Sequence, residues 1–211
     1  IGGLEASLRR LTHYDYWDDT LMPTILATCG ADLLIYGMGE LPLKEIANRC
    51  KRGESIFDMH DVPQTSYLIE GNKIPEYDGE TFELFPHLEC CKDKMKQAKN
   101  FRVIEEESNK MEARRLVQRV DKNHVTVVNP PFPVMESKDL DASFDLPYTR
   151  LPHPKYKGKR IPAYDMIKFS INIHRGCFGG CSFCAISAHQ GKHITSRSKE
   201  SIMREVREVC E

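Results

Sequence analysis

"ADLLIYGMGELPLKEIANRCKRGE", residues 31 to 54, carries the clearest organisation in the first half of the chain. Residues 32 to 36 form a short apolar run, as expected of a strand buried on both faces. Gly37 and Gly39 make a turn, and Leu43, Ile46, Ala47 and Cys50 then follow at helical spacing. The stretch reads as strand, loop and helix. "GMGE" at 37 to 40 lacks the glycine spacing and the lysine of a phosphate-binding loop, so it reads as the turn between the two elements. Upstream, Glu5 to Arg10 and about Asp18 to Thr28 read as helices, the second interrupted by Pro23. Together they predict part of a small α/β layer with a parallel sheet.

The character changes beyond residue 60. "TSYLIEGNKIPEY" (65–77) reads as a strand, an Asn-containing turn and a second extended piece, hence a hairpin. The polar stretch 91–120 carries one apolar stripe of Ile104, Met111, Leu116, Val117 and Val120, spread over one or two helices. "HVTVVNPPFP" (124–133) is a strand ended by prolines. Residues 129 to 162 hold seven of the twelve prolines and read as an irregular connector. In its "LPYTRLPHPKYKGKRIPAYD" (146–165) basic residues alternate with aromatics, which leaves a nucleic-acid contact open beside the simpler reading of a surface linker. "MIKFSINIH" (166–174) alternates as a strand does. Finally "SRSKESIMREVREVC" (196–210) is a helix with Ser198 as N-cap and Ile202, Met203, Val206, Val209 and Cys210 as its buried face.

The chain of 211 residues has 40% hydrophobic and 29% charged residues, the composition of a globular protein. Thirty basic residues against 31 acidic ones give a net charge of −1 and no bulk attraction to nucleic acid. No apolar run approaches the roughly 18 residues of a spanning helix, so no membrane is expected. The opening "IGGLEASLRR" and the closing "REVREVCE" read as the interior of a longer protein.

Between the last strand and the last helix lies "RGCFGGCSFC" (175–184), three cysteines and three glycines in ten positions. The other cysteines are dispersed, at Cys29, Cys50, Cys90, Cys91 and Cys210. Without a secretory signal, that distribution fits a reducing cytoplasm, one metal-type site and several ordinary buried thiols. The spacing of Cys177, Cys181 and Cys184 is C-x3-C-x2-C, and their thiolates converge only if the chain curls around a common centre. Gly176, Gly179 and Gly180 permit the curl and bring bare amides near the sulfurs. Zinc is one occupant, with His174, His189 or His193 as fourth ligand. A four-cysteine electron-transfer cluster recruiting Cys210 is another. Three ligands alone suit a [4Fe–4S] cluster with one iron left open, as an open position marks catalytic zinc.

The cysteine loop, with the aromatic Phe183 just before its third cysteine, closely resembles that of the radical S-adenosylmethionine proteins. "IGGLEASLRRLTHYDYWDDT" (1–20), "ADLLIYGMGE" (31–40), "IPAYDMIKFSINIHRGCFGGCSFCAI" (161–186) and "SRSKESI" (196–202) together look like the YgiQ family within them. The resemblance implies a [4Fe–4S] cluster on Cys177, Cys181 and Cys184, with Phe183 beside the cofactors. It implies S-adenosylmethionine chelated by the open iron and cleaved by one electron to a 5′-deoxyadenosyl radical that takes hydrogen from an unknown substrate. A flavodoxin- or ferredoxin-type reductant would supply the electron. The implied architecture is α/β. Residues 1–60 end a Rossmann-like, cobalamin-binding-like domain, 61–162 connect, and 163–211 begin a partial (β/α) barrel, a piece expected to be inactive alone. No Asp-x-His-x-x-Gly cobalamin loop is present. The competing class is a zinc-stabilised module that binds nucleic acid or protein.

Overall fold

The computed structural model describes residues 1–210. It divides into two compact units: Ile1–Val134 together with Gly176–His193, and Met135–Arg175 together with the residues from Ile194 onward.

The first unit opens with helix α1 (Leu4–Leu8) and a hairpin of β1 (His13–Asp15) and β2 (Thr20–Met22), followed by the short α2 (Leu26–Cys29). A helix was expected over Asp18 to Thr28. The chain instead turns at Asp15, whose Oδ1 accepts from the backbone N–H of Trp17 and Asp18, and Asp19 sits at φ 51°. Asx-type bonding of this kind competes with helix formation. Cys29, expected to be buried, is exposed beside the left-handed cap Gly30.

Next come β3 (Leu34–Ile35) and α3 (Glu40–Lys51), the strand, loop and helix expected from residues 31 to 54. Gly37 lies at φ 70°, in the left-handed region that the turn requires. Leu43 and Cys50, expected on the helix's apolar side, are exposed. Then follow β4 (Thr65–Glu70), β5 (Thr81–Leu84), α4 (His87–Lys92), α5 (Lys94–Glu107), β6 (Arg115–Arg119) and β7 (His124–Val128).

The five strands form one mixed sheet in the order β3-β4-β7-β6-β5, in which only β5 and β6 are parallel. The fold is α/β as expected, but the sheet is not parallel. The reason is local. Asp121 Oδ1 accepts from the N–H of Asn123 and of His124, closing a tight turn that forces β6 and β7 to run antiparallel. The expected hairpin at 65–77 does not form, because β4 pairs with β7 instead.

Leu116 and Val117, read as part of a helical stripe, are successive β6 residues facing opposite sides of the sheet. Leu116 packs with Leu34, Leu84, Val128, Ala6, Leu11 and Leu26, whereas Val117 packs with Leu33, Tyr67, Val125 and Val127. Strands buried on both faces lose their alternation, and a short apolar run then passes for helix. The sheet thus joins residues 34–35 with 65–128, across the expected division at residue 60.

One buried side chain ties together two carbonyls that flank this sheet, one of which, Val62 O, also accepts from Thr65 Oγ1 at 2.7 Å. Asn129 is buried and its Nδ2 donates to His60 O and Val62 O, both at 2.9 Å. Asn129→Ala removes the donor from His60 O while Val62 O keeps that of Thr65 Oγ1, so urea denaturation should show a loss of about 1 kcal/mol. An unchanged midpoint would mean that water replaces the amide at no cost.

In the second unit are α6 (Ser137–Phe144), α7 (Pro162–Ile167) and β8 (His174–Arg175). After the cysteine segment, with α8 (Ile186–Gln190) in the first unit, come β9 (Thr195–Ser196) and α9 (Lys199–Cys210) of the second. The expected strand over 166–174 is mostly absent: Pro162 opens α7, and only His174–Arg175 find a partner, antiparallel to Thr195–Ser196. A strand exists only where its backbone groups are paired.

Ser198 caps α9 as expected, its Oγ accepting from Ser201 N at 3.1 Å. The helix buries Ser201 and Glu205 most deeply, while Ile202, Val206 and Val209 are half-buried and Met203 and Cys210 exposed. Arg197 explains the shift. Its guanidinium is buried over the Phe144 ring, donates to Ser201 Oγ and Asn172 O, and forms a short ion pair with Glu205. A buried charge must be paired, and the pairing draws polar residues inward.

Candidate metal centre

Gly176–His193 folds as part of the first unit, and its two ends are tied to each other. Gly176 N donates to Gln190 Oε1 at 3.0 Å, and Cys177 N donates to Gly191 O at 3.1 Å. Gly176 and Gly191 both sit at φ 87°, a conformation open to glycine and strained for other residues. Between these ends, Cys184 N donates to Cys181 O at 3.1 Å, a turn that leads into α8. The loop is therefore a closed excursion carrying all three cysteines.

The sulfurs of Cys177 and Cys181 flank Gly179. A Cβ placed on Gly179 would press on Cys177 Sγ at 3.3 Å and come into ordinary contact with Cys181 Sγ at 3.9 Å, filling the space between the two thiols. Gly179 N–H also donates to Cys177 Sγ at 3.4 Å, and a Cβ on Gly180 would meet open space. Cys177 and Cys184 are half-buried, Cys181 is exposed, and all three are free thiols.

Phe183, expected beside the cofactors, is 90% exposed. Among the described residues, no three His, Cys, Asp or Glu side chains are grouped as ligands of a single ion. Thiolates around one zinc would sit about 3.8 Å apart, given a Zn–S distance of about 2.3 Å. Of the histidines considered for zinc, His174 and His193 are exposed, while Nδ1 of His189 lies 2.9 Å from Ser7 Oγ. Three soft donors, an amide aimed at sulfur and a glycine floor that clears room beside two of the thiols fit an iron–sulfur cluster.

Sequence reasoning assigned no site to a second feature, a cavity of about 770 Å³ in the first unit, although it placed Ile104 of the lining in an apolar stripe and Cys91 among the dispersed thiols. Leu11, Leu21, Cys91, Phe101, Ile104 and Ala188 are among its lining. At its edge His87 Nδ1 lies 3.1 Å from Thr12 Oγ1, and Cys91 Sγ lies 3.6 Å from His87 Nε2. Burial, with His13 nearby, lowers the His87 pKa, and burial raises that of Cys91. Both shifts favour neutral groups, so the pair is a thiol beside an imidazole rather than an activated thiolate.

A family model described as Radical SAM N-terminal matches residues 1–170, ending before the first cysteine of the loop. A UPF0313 protein of Porphyromonas gingivalis is 60% identical over 211 residues, covering 100% of this chain and 33% of the relative. One of Bacteroides thetaiotaomicron is 59% identical, covering 100% of this chain and 36% of the relative. The UPF0313 protein YgiQ of Escherichia coli is 37% identical over 99% of this chain and 35% of its own length. The chain thus spans about a third of the length of these curated relatives. No solved structure matches it. With most of its residues inside that model, and similar along its length to UPF0313 proteins including YgiQ, the chain belongs to the radical SAM N-terminal family.

Proposed function

We propose that this chain is part of a radical S-adenosylmethionine enzyme, with Cys177, Cys181 and Cys184 as the three protein ligands of a [4Fe–4S] cluster. The observation that carries the reading is the Gly179 floor, where the absence of a side chain leaves room beside two of the three thiols. When bound, such a cluster supplies one electron for reductive cleavage of S-adenosylmethionine to a 5′-deoxyadenosyl radical. The chain's own residues bind and orient. The Gly179 amide stabilises negative charge on the Cys177 sulfur, and the pairing of residues 176–177 with 190–191 closes the loop's base. Phe183 stands free to cover the cofactors from solvent.

In this reading the substrate is unassigned, a flavodoxin- or ferredoxin-type protein is the electron donor, and a Rossmann-like layer precedes a barrel that begins near residue 163. All eight cysteines are free thiols, which supports the cytoplasm as the compartment. No helix among the described residues is long and apolar enough to cross a membrane.

Anaerobic reconstitution with iron and sulfide should give a brown protein with broad visible absorbance. Cys181→Ala should abolish the colour, and Cys29→Ala, on α2 of the first unit, should leave it intact. Stoichiometric zinc in a colourless protein would favour the zinc-stabilised module. Equal iron loss in both variants would place the site elsewhere.

A further inference from the structure

The helix that follows the third cysteine is pinned by a buried serine. Ser7 on α1 is fully buried, and its hydroxyl donates to Gly3 O at 2.9 Å. The same oxygen accepts from Gly37 N–H at 3.0 Å and lies 2.9 Å from Nδ1 of His189 on α8. A hydroxyl has one proton and two lone pairs. With the proton given to Gly3 and one lone pair taken by Gly37, the second is filled by an Nδ1–H of His189. This bonding pattern assigns the His189 ring proton to Nδ1.

The backbone is fitted to the same junction. A Cβ on Gly37 would lie 3.2 Å from the carbonyl oxygen of His189, so a side chain there would press on α8. The glycine turn of residues 37 to 39, the first helix and the cysteine segment thus meet at one hydrogen-bonded centre. His189 precedes Gln190 and Gly191, whose Oε1 and O hold the amides of Gly176 and Cys177. Whatever fixes His189 fixes both ends of the loop.

We propose that Ser7 and His189 form a latch that positions the cysteine loop, with Gly37 providing the clearance it needs. Ser7 touches none of the three thiols in this role and acts through His189, so it is a positioning residue. The inference rests on the cluster reading given above. Nothing in a globular core requires a buried serine to reach into a metal-binding loop. A loop that must present three thiolates in fixed register does require an anchor outside itself.

The test uses the full-length protein, reconstituted anaerobically, with His189→Ala, His189→Asn, Ser7→Ala and Gly37→Ala compared with the parent. Asparagine places its amide nitrogen where His carries Nδ1, so it should restore the donor. His189→Ala and Ser7→Ala should each lose the cluster to a chelator about fivefold faster than the parent, in line with the loss of one buried hydrogen bond, and Gly37→Ala, which keeps its N–H but sets a Cβ 3.2 Å from His189 O at a positive φ, should also lose it faster. They should also broaden or shift the electron paramagnetic resonance signal of the reduced cluster, with His189→Asn close to the parent in both. Melting curves measured alongside separate this from general unfolding, because the faster cluster loss and the altered signal should persist at temperatures where every variant remains fully folded. A parent protein without any cluster would overturn the cluster reading and the latch with it. A parent that holds the cluster, with His189→Ala and Gly37→Ala indistinguishable from it, would overturn the latch alone. So would a His189→Asn variant as labile as His189→Ala.

Discussion

Replacing Glu107 by Ala should cost about 3 kcal/mol of folding stability, a large part of the roughly 5–15 kcal/mol that holds an ordinary domain together. The Glu107 side chain is 2% exposed at the end of α5. Its Oε1 accepts from Lys110 Nζ at 2.7 Å and Arg114 Nη2 at 2.6 Å, and its Oε2 accepts from Arg114 N at 2.9 Å. Burial by itself would raise the carboxyl pKa. The Arg114 guanidinium and amide and the Lys110 ammonium outweigh it and hold the pKa down at about 2, against an ordinary 4.5. Removing the carboxylate strands two cations, but both are partly exposed and can rehydrate, which keeps the loss at the lower end for a buried pair.

The same network gives a pH dependence with a definite sign. A depressed carboxyl pKa contributes stability that is fully present above about 4.5 and is lost as pH falls toward 2. Urea midpoints of the parent and Glu107→Gln should therefore differ at pH 7 and converge between pH 4.5 and 2. A gap that stays constant through that window would mean that Glu107 is not the titrating group.

Leu34→Ala should be about as costly, near 3 kcal/mol, because it opens a cavity in the centre of the first unit. Leu34 is 0% exposed and packs among Ala6, Leu11, Leu26, Tyr36, Leu84, Leu116 and Val128. The denaturant slope should stay the same while the midpoint falls. A loss below about 1 kcal/mol would show that α1 and α2 collapse onto the vacated space.

Leu34 also marks what was legible in the sequence. Its apolar run, the glycines after it and the helical spacing of residues 43 to 50 located strand, turn and helix, because each element there obeys its own local rule. The strand's partner was not legible. Leu34 faces Ser66 of β4, and β4 in turn pairs with β7, which the turn at Asp121–Asn123 sets against β6. The arrangement thus depends on residues far along the chain, and a sheet buried on both faces hides its alternation. So β6 was read as helix, and the sheet was read as parallel. The segment 166–174 has the pattern of a strand but finds a partner only at His174–Arg175. The expected buried stripe of α9 gave way to Ser201 and Glu205, because Arg197 demands partners that apolar periodicity cannot show.

At the cysteine loop the balance reverses. Three thiols and three glycines in ten positions state a chemistry that geometry alone would express weakly, since the sulfurs are not grouped as for a single ion. The structure adds what spacing could not: the closure of the loop through Gln190 and Gly191, the Gly179 floor, and the tie from His189 to Ser7. No periodicity or motif links residues 7 and 189, so that contact could come only from the fold.

The most direct test of the cysteine-loop assignment is iron and sulfide analysis of the anaerobically reconstituted protein, combined with electron paramagnetic resonance of the reduced sample before and after adding S-adenosylmethionine. An open iron on a three-cysteine cluster predicts four irons and four sulfides per chain at full loading. It also predicts a signal that changes when S-adenosylmethionine is added, and loss of both in Cys177→Ala, Cys181→Ala and Cys184→Ala. A cluster that forms in the absence of any of these three cysteines, or a signal indifferent to S-adenosylmethionine, would contradict it.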